Sequence, residues 1–163
     1  ILFEGAQGFG LDVDWGDYPY VTSSHCTVGG AILNGIPAQS IREVYGAAKI
    51  YETYVGAKEF GMSEGIEAKV IREFGEEFGA TTGRPRKIDW FDLDAVAKAT
   101  DINGLTTLVI NKVDVLERVG KFMLYHGDNK FEFDSLEDMK YYIEEHLKRD
   151  NFEIIFSGHK DRI

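Results

Sequence analysis

Four residues that follow an apolar segment carry the most readily interpreted chemistry in this sequence. The segment Leu105–Ile110 has the composition of a strand and leads directly into Asn111, Lys112, Val113 and Asp114. A carboxylate fixed at a strand end can accept hydrogen bonds from the N1–H and the 2-amino group of guanine, and adenine offers neither donor there. The aliphatic stem of the lysine can lie along the base while its ammonium stays hydrated. The pattern predicts a guanine-binding loop, called the guanine loop below.

A second polar loop follows another predicted strand, Phe152–Phe156. It contains Ser157, Gly158 and His159. Ligands gather at the carboxyl ends of parallel strands, so this loop and the guanine loop would face one ligand if their strands are neighbours. Backbone N–H groups of the second loop would then complete the base pocket. An ordinary exposed turn is the alternative interpretation.

The stretch FGATTGRPRK, residues 78–87, is the third candidate and is called the basic loop below. It combines flexible glycines and two hydroxyl side chains with the cations Arg84, Arg86 and Lys87, while Pro85 stiffens it. Arginine forks match carboxylates and phosphates bidentately. The chain carries a net charge of -10, so a local basic cluster favours an anion clamp. A solvated basic turn is the alternative.

The composition excludes several classes of protein. A net charge of -10 is opposed to general nucleic-acid binding, which needs a broad basic face. No apolar run reaches the roughly 20 residues of a membrane span, and no secretory leader opens the chain. Cys26 is the single cysteine, so we expect neither a disulfide framework nor a cysteine zinc site. Cytoplasmic location is the expectation. The apolar start at Ile1–Phe3 suggests a strand in progress and a piece of a longer protein.

Strand-like and helix-like segments alternate, which predicts an α/β fold with a largely parallel sheet flanked by helices. The strands expected besides those already named are Ile1–Phe3, Phe122–Tyr125 and Lys130–Phe133, and the last two read as a hairpin. The helices are expected from four groups of residues: a capping box at Ser40 and Glu43 with the stripe Ile41, Val44, Tyr45, Ala48 and Tyr51; the stripe Ile66, Val70, Phe74 and Phe78; Ala95, Val96 and Ala99; and a cap at Ser135 and Asp138 with the stripe Leu136, Met139, Ile143 and Leu147.

The order of several motifs resembles one family, adenylosuccinate synthetase. These motifs are FEGAQG at 3–8, YPYVTSS at 18–24, VGA at 55–57, FGATTGR at 78–84, WFDLDAV at 90–96, NKVD at 111–114 and SGHKDR at 157–162. The resemblance covers essentially all 163 residues. It implies a P-loop-NTPase-like synthetase fold and the GTP-dependent ligation of IMP and L-aspartate to adenylosuccinate through a 6-phosphoryl-IMP intermediate. It also implies Mg²⁺, with ligands mostly outside this chain, and a homodimer.

The same resemblance assigns roles to individual residues. The general base and the general acid of the family match positions upstream of Ile1, so it assigns no catalytic residue to this chain, which it places as the C-terminal portion, 1–163, of one synthetase domain. Arg84 matches the arginine that contacts the substrate and the IMP ribose, and Arg86 matches the one that reaches GTP. Pro85 and Lys87 stand where the family usually has arginines. The other matches are Gln7, Thr22 and Val55 for IMP; Ala80, Thr81, Thr82, Gly83, Arg84, Pro85 and Arg86 for the aspartate loop; and Lys112, Val113, Asp114, Ser157, Gly158 and His159 for the guanine nucleotide.

Two other functions stay open from the sequence. One is a viral relative of the same family that acts on dGMP and often uses ATP, which the guanine loop disfavours. The other is a non-catalytic module that only binds guanine nucleotides.

Overall fold

Strands and helices alternate along the chain after residue 44, because period-two apolar segments alternate with segments of helical period. The computed structural model describes residues 1–62, 65–80 and 82–158. The strands in these ranges are β1 (Tyr45–Lys49), β2 (Tyr51–Tyr54), β3 (Lys87–Asp92), β4 (Thr107–Asn111), β5 (Phe122–His126), β6 (Asn129–Phe133) and β7 (Glu153–Phe156). The helices are α1 (Gly29–Leu33), α2 (Ile66–Phe74), α3 (Leu93–Asn103), α4 (Val113–Val119) and α5 (Leu136–Leu147).

One sheet of the described chain is parallel throughout and has the strand order β1-β4-β7. Its central strand β4 pairs Val109 with Ala47 on one side and with Ile155 on the other. Long connections that include helices lead from β1 to β4 and from β4 to β7, as parallel pairing requires. The predicted α/β class with a largely parallel sheet and flanking helices is confirmed.

A second sheet has the order β2-β3-β5-β6 and is mixed. β3 and β5 are parallel, whereas β2 and β6 pair antiparallel at the two edges. The predicted hairpin is β5–β6, and Gly127 supplies the positive φ of 60° that its turn requires. The chain passes from the first sheet to the second at Ile50, which is fully buried and donates its N–H to the carbonyl of Asn111 (3.0 Å).

Helix α5 forms as the sequence predicts. The hydroxyl of Ser135 accepts the backbone N–H of Asp138 (3.1 Å) and caps its N-terminus. All four residues of the predicted stripe are buried, namely Leu136, Met139, Ile143 and Leu147. α3 also forms where expected, and its cap is the Asp92 carboxylate, which accepts the N–H of Ala95 (2.9 Å).

The helix predicted after Ser40 is wrong. Residues 38–40 form one 3-10 turn, and the chain then extends into β1 and β2. β1 pairs with the buried strand β4, and this pairing overrides the local helical spacing. Gly46 lies in β1 at a position where a Cβ would meet a methyl group of Leu105, so the packing there favours glycine.

The buried face of α2 also differs from the prediction. The helix forms, but it buries Ala68 and Ile71. Ile66, Phe74 and Phe78 of the predicted stripe are exposed. The centroid of the exposed Phe74 ring instead lies 5.2 Å from the guanidinium carbon of Arg118.

The predicted strand at Ile1–Phe3 is wrong as well. This segment has no strand pairing and its side chains are exposed. A strand needs a partner for its N–H and C=O groups, and none of the described strands pairs with this segment. Among the described helices, none combines the length and the apolar character that a membrane crossing needs.

Candidate nucleotide-binding site

The guanine loop and the loop after β7 meet at one end of the parallel sheet. β4 and β7 are neighbours, and the N–H of Ser157 donates to the carbonyl of Ile110 (2.9 Å). The N–H of Val113 donates back to the carbonyl of Ser157 (3.2 Å). A Cβ built on Gly158 would lie 3.4 Å from the Cβ of Asp114, so the second loop passes directly against that side chain. His159 lies outside the described residues.

Asp114 carries an acceptor that the described part of the chain leaves unused. Its Oδ1 is buried and has no hydrogen-bond partner there, and the same holds for Oδ1 of Asn111. A buried acceptor without a partner is costly, so native proteins rarely keep one without a reason. A ligand with two adjacent N–H donors, such as the Watson–Crick edge of guanine, would satisfy the carboxylate.

Lys112 lies two residues before Asp114, and both its backbone and the end of its side chain are fixed. Its backbone adopts the left-handed region, with φ at 66° and ψ at 23°, as the residue that precedes α4. Its ammonium donates to the carbonyl of Gly75 (3.0 Å). Non-glycine residues pay about 1–2 kcal/mol for this backbone region, and such strain concentrates at functional sites. The anchored ammonium leaves the aliphatic stem as a surface that a base could cover.

The basic loop is closed at its base by backbone hydrogen bonds. Phe78 and Pro85 form an isolated bridge, and the N–H of Arg86 donates to the carbonyl of Glu77 (2.9 Å). Gly83, with φ at 62°, makes the turn at the tip, where its N–H donates to the carbonyl of Gly79 (2.8 Å). The geometry is that of a small hairpin.

The tip of this hairpin is open to solvent. Ala80, Thr82, Gly83 and Pro85 are exposed, and so is Arg84, whose guanidinium forms no ion pair with any residue that the structure describes. Thr81 lies outside the described residues. Arg84 is therefore available to an anion.

Arg86 is held by a carboxylate that no sequence motif indicated. Glu77 is 1% exposed, and its Oε2 accepts hydrogen bonds from Nη1 of Arg86 (2.8 Å) and from Nζ of Lys49 (2.8 Å). Its Oε1 accepts the hydroxyl of Tyr51 (2.9 Å). We call these four residues, Lys49, Tyr51, Glu77 and Arg86, the Glu77 cluster.

The electrostatics of the Glu77 cluster favour ionised Glu77. Burial opposes its ionisation, but the hydrogen bonds and charge of Lys49, with the bonds from Tyr51 and Arg86, hold its pKa below the ordinary value. Burial lowers the pKa of Lys49, and Glu77 offsets part of that effect. Burial and the charge of Glu77 raise the pKa of the Tyr51 phenol. The cluster has one net positive charge when both cations are protonated.

The structure does not join the proposed IMP residues to this region. None of the hydrogen bonds among described residues links Gln7, Thr22 or Val55 to the Glu77 cluster or to Asp114. Gln7 lines a separate cavity of about 1050 Å³, bounded by residues 1–9 and by β1. Thr22 is half-buried and donates its N–H to the carbonyl of Leu11 (2.8 Å), and Val55 is 48% exposed.

The described residues near the Glu77 cluster do not fit a magnesium ion. Mg²⁺ requires free oxygen ligands, and both oxygens of Glu77 already accept hydrogen bonds. Elsewhere, Asp12, Asp14 and His25 offer ligand atoms within 4.8 Å of one another. Asp12, however, is fully buried and accepts the backbone N–H groups of Asp14 and Trp15, which is the role of a structural carboxylate.

Comparison with known proteins places this geometry in context. A family model described as adenylosuccinate synthetase matches residues 1–148. The adenylosuccinate synthetase of Petrotoga mobilis is 51% identical over 122 residues, which cover 74% of this chain and 29% of that protein. The enzyme of that name from Thermus thermophilus is 49% identical over 123 residues, or 74% of this chain and 30% of the relative. The chain thus spans about a third of the length of these curated relatives or less.

Two solved structures resemble the fold. The fully ligated adenylosuccinate synthetase of Plasmodium falciparum aligns with a TM-score of 0.78 and 28% identity, over 95% of this chain and 46% of that one. The succinoaminodeoxyadenylate synthetase of cyanophage S-2L, bound to dGMP and dATP, aligns with a TM-score of 0.55 and 19% identity. The alignment covers 88% of this chain and 49% of that one. The second likeness concerns the fold alone.

Proposed function

This chain belongs to the adenylosuccinate synthetase family, and we propose that it supplies the guanine-binding and basic-loop parts of an enzyme that ligates IMP and L-aspartate to adenylosuccinate at the expense of GTP. The observation that carries the proposal is the buried Oδ1 of Asp114, which has no hydrogen-bond partner among the described residues and lies close to Gly158. The arrangement fits a guanine base whose two donors meet the carboxylate. Val113 and Ser157 fix the two loops around it.

The proposed reaction has two steps. The γ-phosphoryl group of GTP moves to the 6-oxygen of IMP, so one P–O bond forms as the bond to GDP breaks. The amine of aspartate then attacks C6, and the C6–O bond breaks with release of phosphate. Magnesium would neutralise phosphate charge in the first step. The proton-transferring groups are not assigned to residues of this chain.

The contribution of this chain is binding and charge neutralisation. Arg86 would contact the triphosphate, and its fixed guanidinium would act where negative charge develops. Arg84 and the tip of the basic loop, Ala80 to Pro85, would close over the two carboxylates of aspartate. Gln7, Thr22 and Val55 would hold IMP, with the ribose at Val55. His159 and Thr81 belong to the same proposal by position in the sequence.

The viral dGMP-specific reaction is the second candidate from the sequence, and it is less well supported. The phage synthetase shares only the fold, at 19% identity. Its solved structure holds dATP. Adenine offers no donors at that edge to the Asp114 carboxylate, whose Oδ1 has no hydrogen-bond partner in the described part of the chain.

Calorimetric titration of the full-length gene product tests the proposal. GTP is expected to bind at least about 100-fold more tightly than ATP, because adenine forfeits two hydrogen bonds to a carboxylate. IMP should bind and dGMP should not. Equal binding of ATP and GTP would remove the base-reading role, and preference for dGMP over IMP would favour the viral reaction. Binding of GTP with no binding of IMP or aspartate would identify a nucleotide-binding module.

A further inference from the structure

The C-terminal turn of α2 connects the two halves of the candidate nucleotide site. Gly75, Glu76 and Glu77 are consecutive, and each contributes to the connection. The carbonyl of Gly75 accepts the ammonium of Lys112, beside the base reader (3.0 Å). Glu77 accepts the guanidinium of Arg86, at the base of the basic loop (2.8 Å). Glu76, with φ at 55°, makes the sharp turn that allows both contacts.

The packing around Gly75 leaves this turn little freedom. A Cβ at Gly75 would lie 2.4 Å from the hydroxyl oxygen of Tyr51 and 3.1 Å from Cγ of Glu77. The close approach requires glycine at this position. The Glu77 side chain extends toward β1 and β2. There the carboxylate accepts hydrogen bonds from Lys49 and Tyr51, which are two residues apart at the junction of those strands.

Glu77 determines where the Arg86 guanidinium lies. The backbone of Arg86 is held on both sides, since its N–H donates to Glu77 and its carbonyl accepts Nε of Arg72 (2.9 Å). Its long side chain could still adopt many rotamers without a partner. Glu77 fixes one of them. The side chain remains 33% exposed, so an anion could reach it, and a guanidinium has further N–H donors besides the one that Glu77 accepts.

We propose that Glu77 is a positioning residue of the nucleotide site: it holds Arg86 for the triphosphate of the same nucleotide whose base meets Asp114. Lys49 compensates the buried charge of Glu77, and Tyr51 orients the carboxylate from the opposite side. Glu77 does not touch the nucleotide. It acts through Arg86 and, through the α2 turn, keeps the distance between the basic loop and the guanine loop constant. The inference rests on the proposed function.

A charge-neutralising variant separates positioning from simple electrostatics. Glu77→Gln removes a negative charge near a polyphosphate, so long-range electrostatics alone would tighten GTP binding. Loss of positioning would weaken it. We expect the Kd and KM for GTP to rise about 10-fold to 100-fold, the loss of one charge-assisted hydrogen bond. The Kd for IMP should stay unchanged, because no hydrogen bond among the described residues joins Gln7, Thr22 or Val55 to this cluster.

An exposed glutamate on α2 provides a matched control. Glu73 lies in the last turn of that helix and carries the same charge, and its side chain has no part in the proposed site. Glu73→Gln in the full-length gene product should leave the Kd for GTP unchanged. Tighter or unchanged GTP binding by Glu77→Gln, with the fold intact by circular dichroism, overturns the inference.

A double-mutant cycle tests whether Glu77 acts through Arg86. Arg86→Ala alone should weaken GTP binding, and adding Glu77→Gln should then weaken it little further. Additive losses would show that Glu77 acts by another route and would overturn the inference. If Glu77→Gln does not fold, Tyr51→Phe serves instead, since it removes one hydrogen-bond donor to Glu77 and leaves its charge in place. It should raise the Kd for GTP about threefold to tenfold, and an unchanged Kd overturns the inference.

The two proposals fail differently. If Asp114→Asn shifts base preference while Glu77→Gln leaves GTP binding unaltered, the positioning role alone is wrong. If the wild-type protein binds no GTP, the proposed function is wrong and the positioning role falls with it.

Discussion

At the scale of single residues, Asp114 offers the sharpest test. Asp114→Asn should shift preference from guanine toward xanthine nucleotides, because the amide can accept the N1–H and donate to the 2-oxygen of xanthine. GTP binding should fall at least about tenfold with the lost charge-assisted bonds. Competition between GTP and XTP in a binding assay measures the shift.

A second carboxylate of α4, that of Glu117, controls for the change of charge. Glu117 lies on the exposed side of α4, so Glu117→Gln should not alter base preference. Unchanged use of GTP by the Asp114→Asn variant would rule out base recognition by this carboxylate.

Arg84 is expected to act on a different ligand. Arg84→Ala in the full-length gene product should weaken aspartate binding by about 1.5–3 kcal/mol, the value of a charged hydrogen bond. The KM for aspartate measures the loss. Arg118→Ala, which removes an equal charge from the outer face of α4, should leave that KM unchanged. Normal aspartate affinity in Arg84→Ala would remove the basic loop from the substrate site.

Some of these residues could be found from the sequence and others could not. The approach of Gly158 to Asp114 follows from two strand ends that are each recognisable locally. Glu77 carried no such signal, because Lys49 lies 28 residues away and Tyr51 lies 26 residues away. Only the fold brings these residues together, and both partners lay in a segment whose spacing indicated a helix.

At the scale of elements, two predicted helix caps, the capping box at Ser40 and the cap at Ser135, had opposite outcomes, and this gives a matched test. Ser135→Ala should lower the free energy of unfolding by about 1 kcal/mol, because the N–H of Asp138 loses its cap. Ser40→Ala should change it little, since residues 38–40 form a 3-10 turn with no side-chain cap on its N-terminus. Urea denaturation of both variants measures the difference. Equal losses would contradict the assignment of the two boxes.

The segment after Ser40 shows why a predicted capping box can be wrong. A helix and a pair of short strands can place apolar residues at similar intervals when the chain changes sheets between them. The partner strand β4 decides the outcome, and no local pattern contains it. For α2 the predicted helix forms, but its buried residues are Ala68 and Ile71, and Phe74 is exposed.

The β2–β3 pair carries a pH-dependent weakness. Glu52 lies directly opposite Asp89, and burial together with the charges of Asp92 and Asp89 raises its pKa to about 7, despite Lys58. Because the folded state holds this proton more tightly than the unfolded chain, stability should fall as pH rises from 4.5 to about 7. Glu52→Gln should remove that fall.

Denaturation at about pH 5 and about pH 8 measures this effect, which has an upper limit of roughly 3 kcal/mol. Glu132→Gln, on the exposed face of β6, should leave the pH profile as it is in the wild type. A wild-type profile that rises over this interval, with no change in Glu52→Gln, would contradict the prediction.

At the scale of the whole molecule, the proposed division of labour predicts binding without turnover. The chain covers about 30% of the length of its curated relatives, and the proposal assigns it no proton-transferring residue. The isolated 163-residue chain should therefore form no adenylosuccinate from GTP, IMP and aspartate. Product absorbance measures this, with the full-length gene product as the positive control. Measurable product from the isolated chain would contradict the proposed division.

The α/β class and the flanking helices could be predicted because they follow from the alternation of local patterns. The division into two sheets could not, since it depends on a change of direction at one residue. Ile50 is apolar and buried like its neighbours. Its amide bonds to Asn111, across the first sheet, while Tyr51 already pairs with Trp90 in the second.

That single-residue junction sets the tolerance of this segment to changes in length. Lys49 and Tyr51 both reach Glu77 because they are two positions apart on an extended chain. Substitutions between Ala48 and Thr53 would alter the strength of individual contacts. An insertion or a deletion of one residue would instead turn one of the two side chains to the opposite face. The spacing of this segment is therefore more tightly constrained than its composition.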